Sequence, residues 1–206
     1  MQIGIIGAGN VGRALGLGWL KAGHNVSFGV RQPQAHKHDE LRARAGVESI
    51  AAASQAAEVI VLATPWEATE EAINAAGPMS GKIVIDCTNP LKPGLAGLTH
   101  GHEDSGGEQV ARWAPEARVV KAFNTIGSNI MEAPVLEDRK AALFICGDDE
   151  EARGRVKELA DVLGFETVDA GPLASARILE PLALLWISAA YKFGFGRDFA
   201  LSIVRR

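Results

Sequence analysis

The sequence predicts an α/β fold, a doubly wound and mostly parallel sheet with a short C-terminal helical extension. Three observations predict it. Short apolar runs alternate with longer stretches of helical period, as in parallel strands joined by crossover helices. The chain opens on an apolar run that passes directly into a glycine-rich turn, Gly7-Ala8-Gly9-Asn10-Val11-Gly12. Its 206 residues, 47% hydrophobic and 22% charged, suit one well-buried α/β domain and leave two a tight fit. We expect one domain over residues 1–206, with 173–206 as the helical extension.

The elements follow in order. A strand at Gln2–Gly7 leads into a helix from Asn10 to Ala22, which Gly23 closes, and a second strand spans Val26–Val30. Arg31–Gly46 is polar and basic, and a short helix fills Ser49–Ala57. The apolar run Glu58–Ala63 is a buried strand ended by Thr64-Pro65, and Trp66–Ala76 is a helix closed by Gly77-Pro78. Lys82–Cys87 is the next strand. Thr88–Gly107 is loop-like and ends in Ser105-Gly-Gly-Glu108, a capping box that starts a helix to about Trp113. Strands follow at Arg118–Phe123 and Ala141–Cys146. The helix Asp149–Leu163 carries acids in its first turn, where the helix dipole favours them. A last strand covers Phe165–Asp169, and an apolar helix runs from Leu173 to about Phe193.

Composition narrows the chemistry. A formal net charge of −4 gives no general attraction to nucleic acid or anionic membrane, so an anionic ligand must be met by local basic groups. The two cysteines, Cys87 and Cys146, lack metal-ligand spacing and read as buried free thiols, which fits a reducing compartment. We expect no metal site. The N-terminus shows no signal-peptide pattern, and the apolar stretch Leu182–Ala190 is short of the ~20 residues that span a bilayer. A cytoplasmic protein without membrane insertion is the expectation.

The glycine turn has a physical reading. In a strand-turn-helix setting, Gly7 allows the tight turn, Gly9 lets backbone approach a pyrophosphate, and Gly12 lets helix and strand pack closely. Free amides at the helix start hold the anion. This is the Rossmann-type signature of a nicotinamide dinucleotide site. The end of the second strand selects the dinucleotide. An acid there would bind the adenosine ribose and repel a 2′-phosphate, but the chain reads Phe28-Gly29-Val30-Arg31-Gln32, with no acid before Asp39. Arg31 can fork to a phosphate and lie against adenine, while His36, Lys37 and His38 add nearby positive charge. NADP(H) is therefore expected over NAD(H). Thr64-Pro65-Trp66, Asn89 and Ala122 with Asn124 leave strand ends on one edge and complete the expected cofactor site. Trp66 reads equally well as a packing residue.

Five motifs carry a family likeness across nearly the whole chain: Gly7-Ala-Gly-Asn-Val-Gly12, Thr64-Pro-Trp66, Val120-Lys-Ala-Phe-Asn-Thr125, Cys146-Gly-Asp-Asp149 and Asp169-Ala-Gly-Pro-Leu173. With Ala176-Arg177-Ile178-Leu179-Glu180, the last two are much more specific than the glycine turn. The sequence resembles the deazaflavin-dependent (coenzyme F420-dependent) NADP reductases and the cytosolic NADPH-binding domain of the six-transmembrane metalloreductases. The resemblance implies hydride transfer between NADPH and a flavin-like ring (FMN, FAD or deazaflavin), with Arg31 facing the 2′-phosphate. Where archaeal deazaflavin enzymes carry His-Thr-Ile-Pro, this chain reads Asn124-Thr-Ile-Gly127, closer to the metalloreductase pattern.

Hydride transfer to a flavin mainly needs two stacked rings, whereas reducing a carbonyl or imine usually needs a placed proton donor. Larger relatives of this fold carry a helical second domain for such groups, and too few residues follow Asp169 here to build one. Lys121, His100, His102 and Tyr191 are the available donors, and no motif singles one out as catalytic. The alternatives are an imine or carbonyl reductase with a pocket shared between subunits, and a non-catalytic NADP(H)-binding regulatory module. The last helix is apolar on more than one face, which predicts a homodimer.

Overall fold

The computed structural model describes residues 1–206, and one eight-stranded sheet runs through it. In chain order the first half comprises β1 (Gln2–Ile6), α1 (Asn10–Lys21), β2 (Asn25–Gly29), α2 (Asp39–Arg42), β3 (Gly46–Glu48), α3 (Ile50–Ala56), β4 (Val59–Leu62), α4 (Thr69–Ala76) and β5 (Ile83–Asp86). The second half comprises α5 (Gly106–Trp113), β6 (Arg118–Lys121), α6 (Ser128–Glu132), β7 (Val135–Leu136), β8 (Arg139–Lys140), β9 (Ala142–Gly147), α7 (Glu150–Asp161), β10 (Glu166–Asp169) and α8 (Ala176–Tyr191). The sheet order is β10-β9-β6-β5-β4-β1-β2-β3. Six strands, β3-β2-β1-β4-β5-β6, are parallel in the doubly wound order, and β9 joins β6 antiparallel, carrying β10 parallel to itself. The fold class is the expected one.

Each predicted strand is present. β1, β4 and β5 are buried on both faces except at Gln2, which explains why they read as unbroken apolar runs. The predicted Ser105 cap forms, and Asp149, expected as the first residue of its helix, is its N-cap. Ser105 Oγ accepts from Glu108 N at 3.2 Å and donates to Glu108 Oε2 at 2.7 Å, while Asp149 accepts from Ala152 N at 2.7 Å. Several short elements go beyond the sequence reading, α2 among them. β3 pairs with β2 over only three residues, the hairpin β7–β8 has two residues a side, and α6 is a five-residue helix. None is long enough to show a period.

The core lies on both faces of the sheet. On one, Trp19 of α1 donates its indole N–H to the Leu159 carbonyl of α7 at 2.8 Å and meets Phe123 edge-on, with ring centroids 5.9 Å apart. Phe123 in turn packs edge-on against Phe165. On the other, Ile73, Met79 and Val110 cover Ile60, Leu62 and Val84.

Residues Leu173–Tyr191 form a helical segment of 19 residues whose length and mean hydropathy would also satisfy a membrane span. Its inner face is nevertheless docked in the domain through Leu179, Ala183 and Trp186, and it carries the buried acid Glu180. Its outer face shows Ile178 and Leu185 to solvent, with Tyr191 and Phe193 beyond them.

Candidate functional site

β1 and β4 are neighbours whose following connections diverge to opposite sides of the sheet, which opens a crevice at the carboxyl ends of the strands. A cleft of about 770 Å³ occupies it. Its walls include Gly7, Ala8 and Gly9 after β1, Arg31 and Gln32 after β2, and Thr64 and Pro65 after β4.

The three motif glycines separate by role. A Cβ on Gly7, whose φ is +110°, would lie 2.5 Å from the Ala63 carbonyl oxygen, and one on Gly12 would lie 2.2 Å from that of Gly7. Both positions are closed by the protein itself. A Cβ on Gly9 would meet nothing within 4 Å, so the space above it is free for a ligand. Gly9 is also the N-cap of α1, with no side chain capping it and no acid in the first turn. The first-turn amides, at Asn10, Val11 and Gly12, are thus left without a side-chain acceptor.

Beyond the turn the cleft is positively charged. Arg31 and Lys37 both line it, with no carboxylate pairing either. Arg13, which the sequence reading missed, lines it as well. Its Nε donates to the Ala8 carbonyl at 3.0 Å and its terminal nitrogen to the Lys37 carbonyl at 3.3 Å, tying the glycine turn to the basic segment. The signal was present: Arg13 lies one residue past the motif, on the first turn of the helix that the motif starts. His38 is buried in the same wall, whereas His36 is exposed and pairs with Asp39. Arg42 is spent on the loop, donating to the Pro33 and Ala35 carbonyls and pairing with Asp39.

The remaining expected residues lie away from this cleft. Trp66 packs against Trp113, with centroids 5.3 Å apart, and edge-on against His100. Thr64 and Pro65 line the cleft without it, held by Thr69, whose hydroxyl bonds Thr64 Oγ1 at 3.0 Å and donates to the Pro65 carbonyl at 3.1 Å. Ala122 is fully buried in the core. Asn89 and Asn124 find each other: Asn89 Nδ2 donates to the Asn124 carbonyl at 2.8 Å, and Asn124 Nδ2 to Asn89 Oδ1 at 3.1 Å and to the Leu179 carbonyl at 3.3 Å. Phe123, with φ +63°, bends the chain to place Asn124 there, a conformation costly for a bulky residue.

Behind this pair lies a buried ion cluster. Lys121 Nζ donates to Asp86 Oδ2 at 2.9 Å, to the Thr88 carbonyl at 2.7 Å and to Glu180 Oε1 at 2.9 Å, with all three side chains 0–1% exposed. Glu180 also accepts from the Gly106 and Gly107 amides at 2.9 Å each, capping α5 from α8. Asp86 Oδ1 accepts from Thr88 N and Thr88 Oγ1. Burial alone would lower the Lys121 pKa, but Asp86 and Glu180 outweigh it and hold the ammonium above the ordinary lysine range. The thiols beside the cluster are inert: burial pushes Cys87 far up, and Cys146 up to about 12.

Comparison with known proteins agrees with this geometry. Residues 2–90 match the family described as NADP oxidoreductase, coenzyme F420-dependent. A protein of Arthrobacter sp. FB24 described as a candidate F420-dependent NADP-reductase superposes with a TM-score of 0.91 at 31% identity, covering 100% of both chains. The chain therefore belongs to the F420-dependent NADP oxidoreductase family. Sequence and fold thus group it with the NADP oxidoreductases of that family, and it is similar to the metalloreductases as well. Metalloreductase STEAP3 of Rattus norvegicus is 34% identical over 186 residues, 89% of this chain but 37% of its own length. This chain thus spans little more than a third of the curated relatives it matches. The reductive aminase of Aspergillus terreus, at 23% identity, shares the fold over 94% of this chain and 63% of its own, with a TM-score of 0.70.

Proposed function

We propose that the protein transfers hydride between NADPH and a flavin-like acceptor, either a flavin or a deazaflavin. The carrying observation is that the ionisable groups at the nicotinamide end of the sheet edge are already committed. Asp86, Lys121 and Glu180 satisfy one another in a closed cluster, which leaves no proton donor aimed outward. Of the other donors considered, His100 packs on Trp66, while His102 and Tyr191 are exposed, and none of them lines the cleft. A site without a placed acid suits a ring that accepts hydride and takes its proton from water, not a carbonyl or imine.

The residues present fit NADP(H). The helix-start amides and the open space above Gly9 suit the pyrophosphate, and Arg31, Lys37 and Arg13 suit the 2′-phosphate. The bound nicotinamide supplies the hydride. Thr64 and Pro65 wall the cleft, and the Asn89–Asn124 pair stiffens the two loops bordering the acceptor side. We further propose that the uncharged outer face of α8, with Ile178 and Leu185, pairs with a second copy to cover the acceptor. Light scattering at micromolar concentration tests this, and a monomeric mass removes it.

The deciding experiment is NADPH oxidation against FMN, FAD, riboflavin and deazaflavin, with a cyclic imine and a ketone in parallel. Turnover with at least one ring acceptor and none with imine or ketone is expected. Turnover confined to the imine would select the alternative reading, and tight NADPH binding without any turnover would indicate a regulatory module.

A further inference from the structure

His38 is the least explained residue in the cleft. It is 6% exposed, it lines the same wall as Arg13, Arg31 and Lys37, and its Nδ1 is enclosed without a hydrogen-bond partner. Enclosed polar atoms nearly always have partners, and an orphan calls for one that arrives later. The charged surroundings say what kind. Arg13 reaches over from α1, Lys37 precedes His38 in its own segment, Arg42 stands on α2, and Arg31 leaves β2. The acids do not balance them. Asp39 is taken by Arg42 and His36, and Glu71 on α4 is the one carboxylate in the cleft wall. A cluster of cations around an unpartnered imidazole is a site for a phosphate dianion.

We propose that His38 is a specificity-determining residue for the 2′-phosphate of NADP(H), and that it gains a proton when the dinucleotide binds. The proposal rests on placing that phosphate between Arg31 and Lys37. In the free protein, burial first and then the charges of Lys37, Arg13 and Arg42 hold the imidazole below its ordinary pKa of 6.5, so it is neutral near pH 7. A dianion beside it reverses the electrostatic part and supplies the acceptor that Nδ1–H requires. The bound-state pKa is then higher than the free-state pKa. Above both values His38 is neutral in both states and adds nothing. As pH falls through the bound-state value, binding takes up a proton and tightens, by about tenfold for each unit separating the two values. NAD(H), which has no 2′-phosphate, does not engage the residue.

The nucleotide's own chemistry runs the other way. A phosphomonoester has a second pKa of ~6, and binding to cations favours the dianion and releases protons. Calorimetric titration of NADP+ and NAD+ at pH 7, in two buffers of different ionisation enthalpy, counts the protons exchanged. Wild-type protein should take up more protons on binding NADP+ than His38→Gln does, with no such difference for NAD+. As pH falls from 8 to 6.5, the NADP+/NAD+ affinity ratio of the wild type should also rise relative to that of His38→Gln, which carries the phosphate's own titration without the imidazole. Equal proton counts for wild type and variant, or the same pH dependence of the ratio in both, would overturn the role of His38 while leaving NADP(H) preference intact. NAD+ binding as tight as NADP+ would overturn both the placement of the 2′-phosphate and the inference built on it.

Discussion

The two ends of the sheet's carboxyl edge are built on opposite principles. At the β1–β2 end, three cations and an enclosed histidine face a cleft with a single carboxylate, and the helix start has no side-chain cap. At the other end, a lysine and two acids that no solvent reaches satisfy one another completely. The first region has cations and helix-start amides without protein partners, as a site for an anionic ligand requires. The second is complete without one and serves to fix geometry, joining β5, β6, α5 and α8 at a single ammonium group. Charge alone does not mark a binding site; charge without a partner does.

The largest effect should come from opening the closed end. Lys121→Met leaves Asp86 and Glu180 buried without their counter-ion, which costs about 3–5 kcal/mol, a large share of a domain's stability. Urea unfolding measures it. Adding Asp86→Asn and Glu180→Gln to Lys121→Met should recover part of the loss by removing the stranded charges. If Lys121→Met unfolds at the wild-type midpoint, the cluster is not the structural anchor described.

Two glycines three residues apart should then fail in opposite ways. Gly9→Val places its side chain in the open space proposed for the pyrophosphate and meets no protein atom from its Cβ, so NADPH affinity should fall by about a hundredfold or more with little change in melting temperature. Gly12→Ala drives a methyl to 2.2 Å from the Gly7 carbonyl oxygen and should destabilise the fold by about 1–3 kcal/mol. Melting curves with and without NADPH separate the two. Arg31→Glu should come next, weakening NADPH by about 2 kcal/mol, or ~30-fold, while narrowing the gap to NADH. An unchanged Michaelis constant for NADPH would deny Arg31 its place on the phosphate.

The same contrast explains what the sequence disclosed. Strands such as β4 and β5 are legible because burial on both faces demands an unbroken apolar run, and the glycine turn because its spacing answers to close backbone approach. Arg31 is legible because its place after β2 is set by the strand. His38 could be read only as nearby charge, since its burial and its lack of a partner depend on how residues 33–42 fold around Arg42. Lys121 drew attention as a stray proton donor because its partners lie 35 and 59 positions away along the chain, a juxtaposition that no local pattern encodes. The antiparallel turn of β9 escaped for the same reason: strand direction is decided by α6 and the β7–β8 hairpin, which are too short to carry a periodic signal.

The smallest effect lies where the closed cluster meets solvent. Glu108 joins α5 to α8 through Arg177, accepting from its Nε at 2.9 Å and its terminal nitrogen at 2.5 Å. The hydrogen bond from Arg177 holds the Glu108 carboxyl below its usual range despite partial burial, with Ser105 assisting. A depressed folded-state pKa stabilises the fold above the unfolded-state value, and that contribution is lost as pH falls through the folded-state value. The pair is partly screened by water, so Glu108→Gln should lower the melting temperature at pH 7 by only roughly 1–3 °C. The difference between wild type and variant should shrink only as pH falls well below the ordinary glutamate range, where the wild-type carboxylate itself gains a proton. A deficit that persists unchanged at pH 3 would show that Glu108 supports α5 through packing and capping, with its charge contributing nothing.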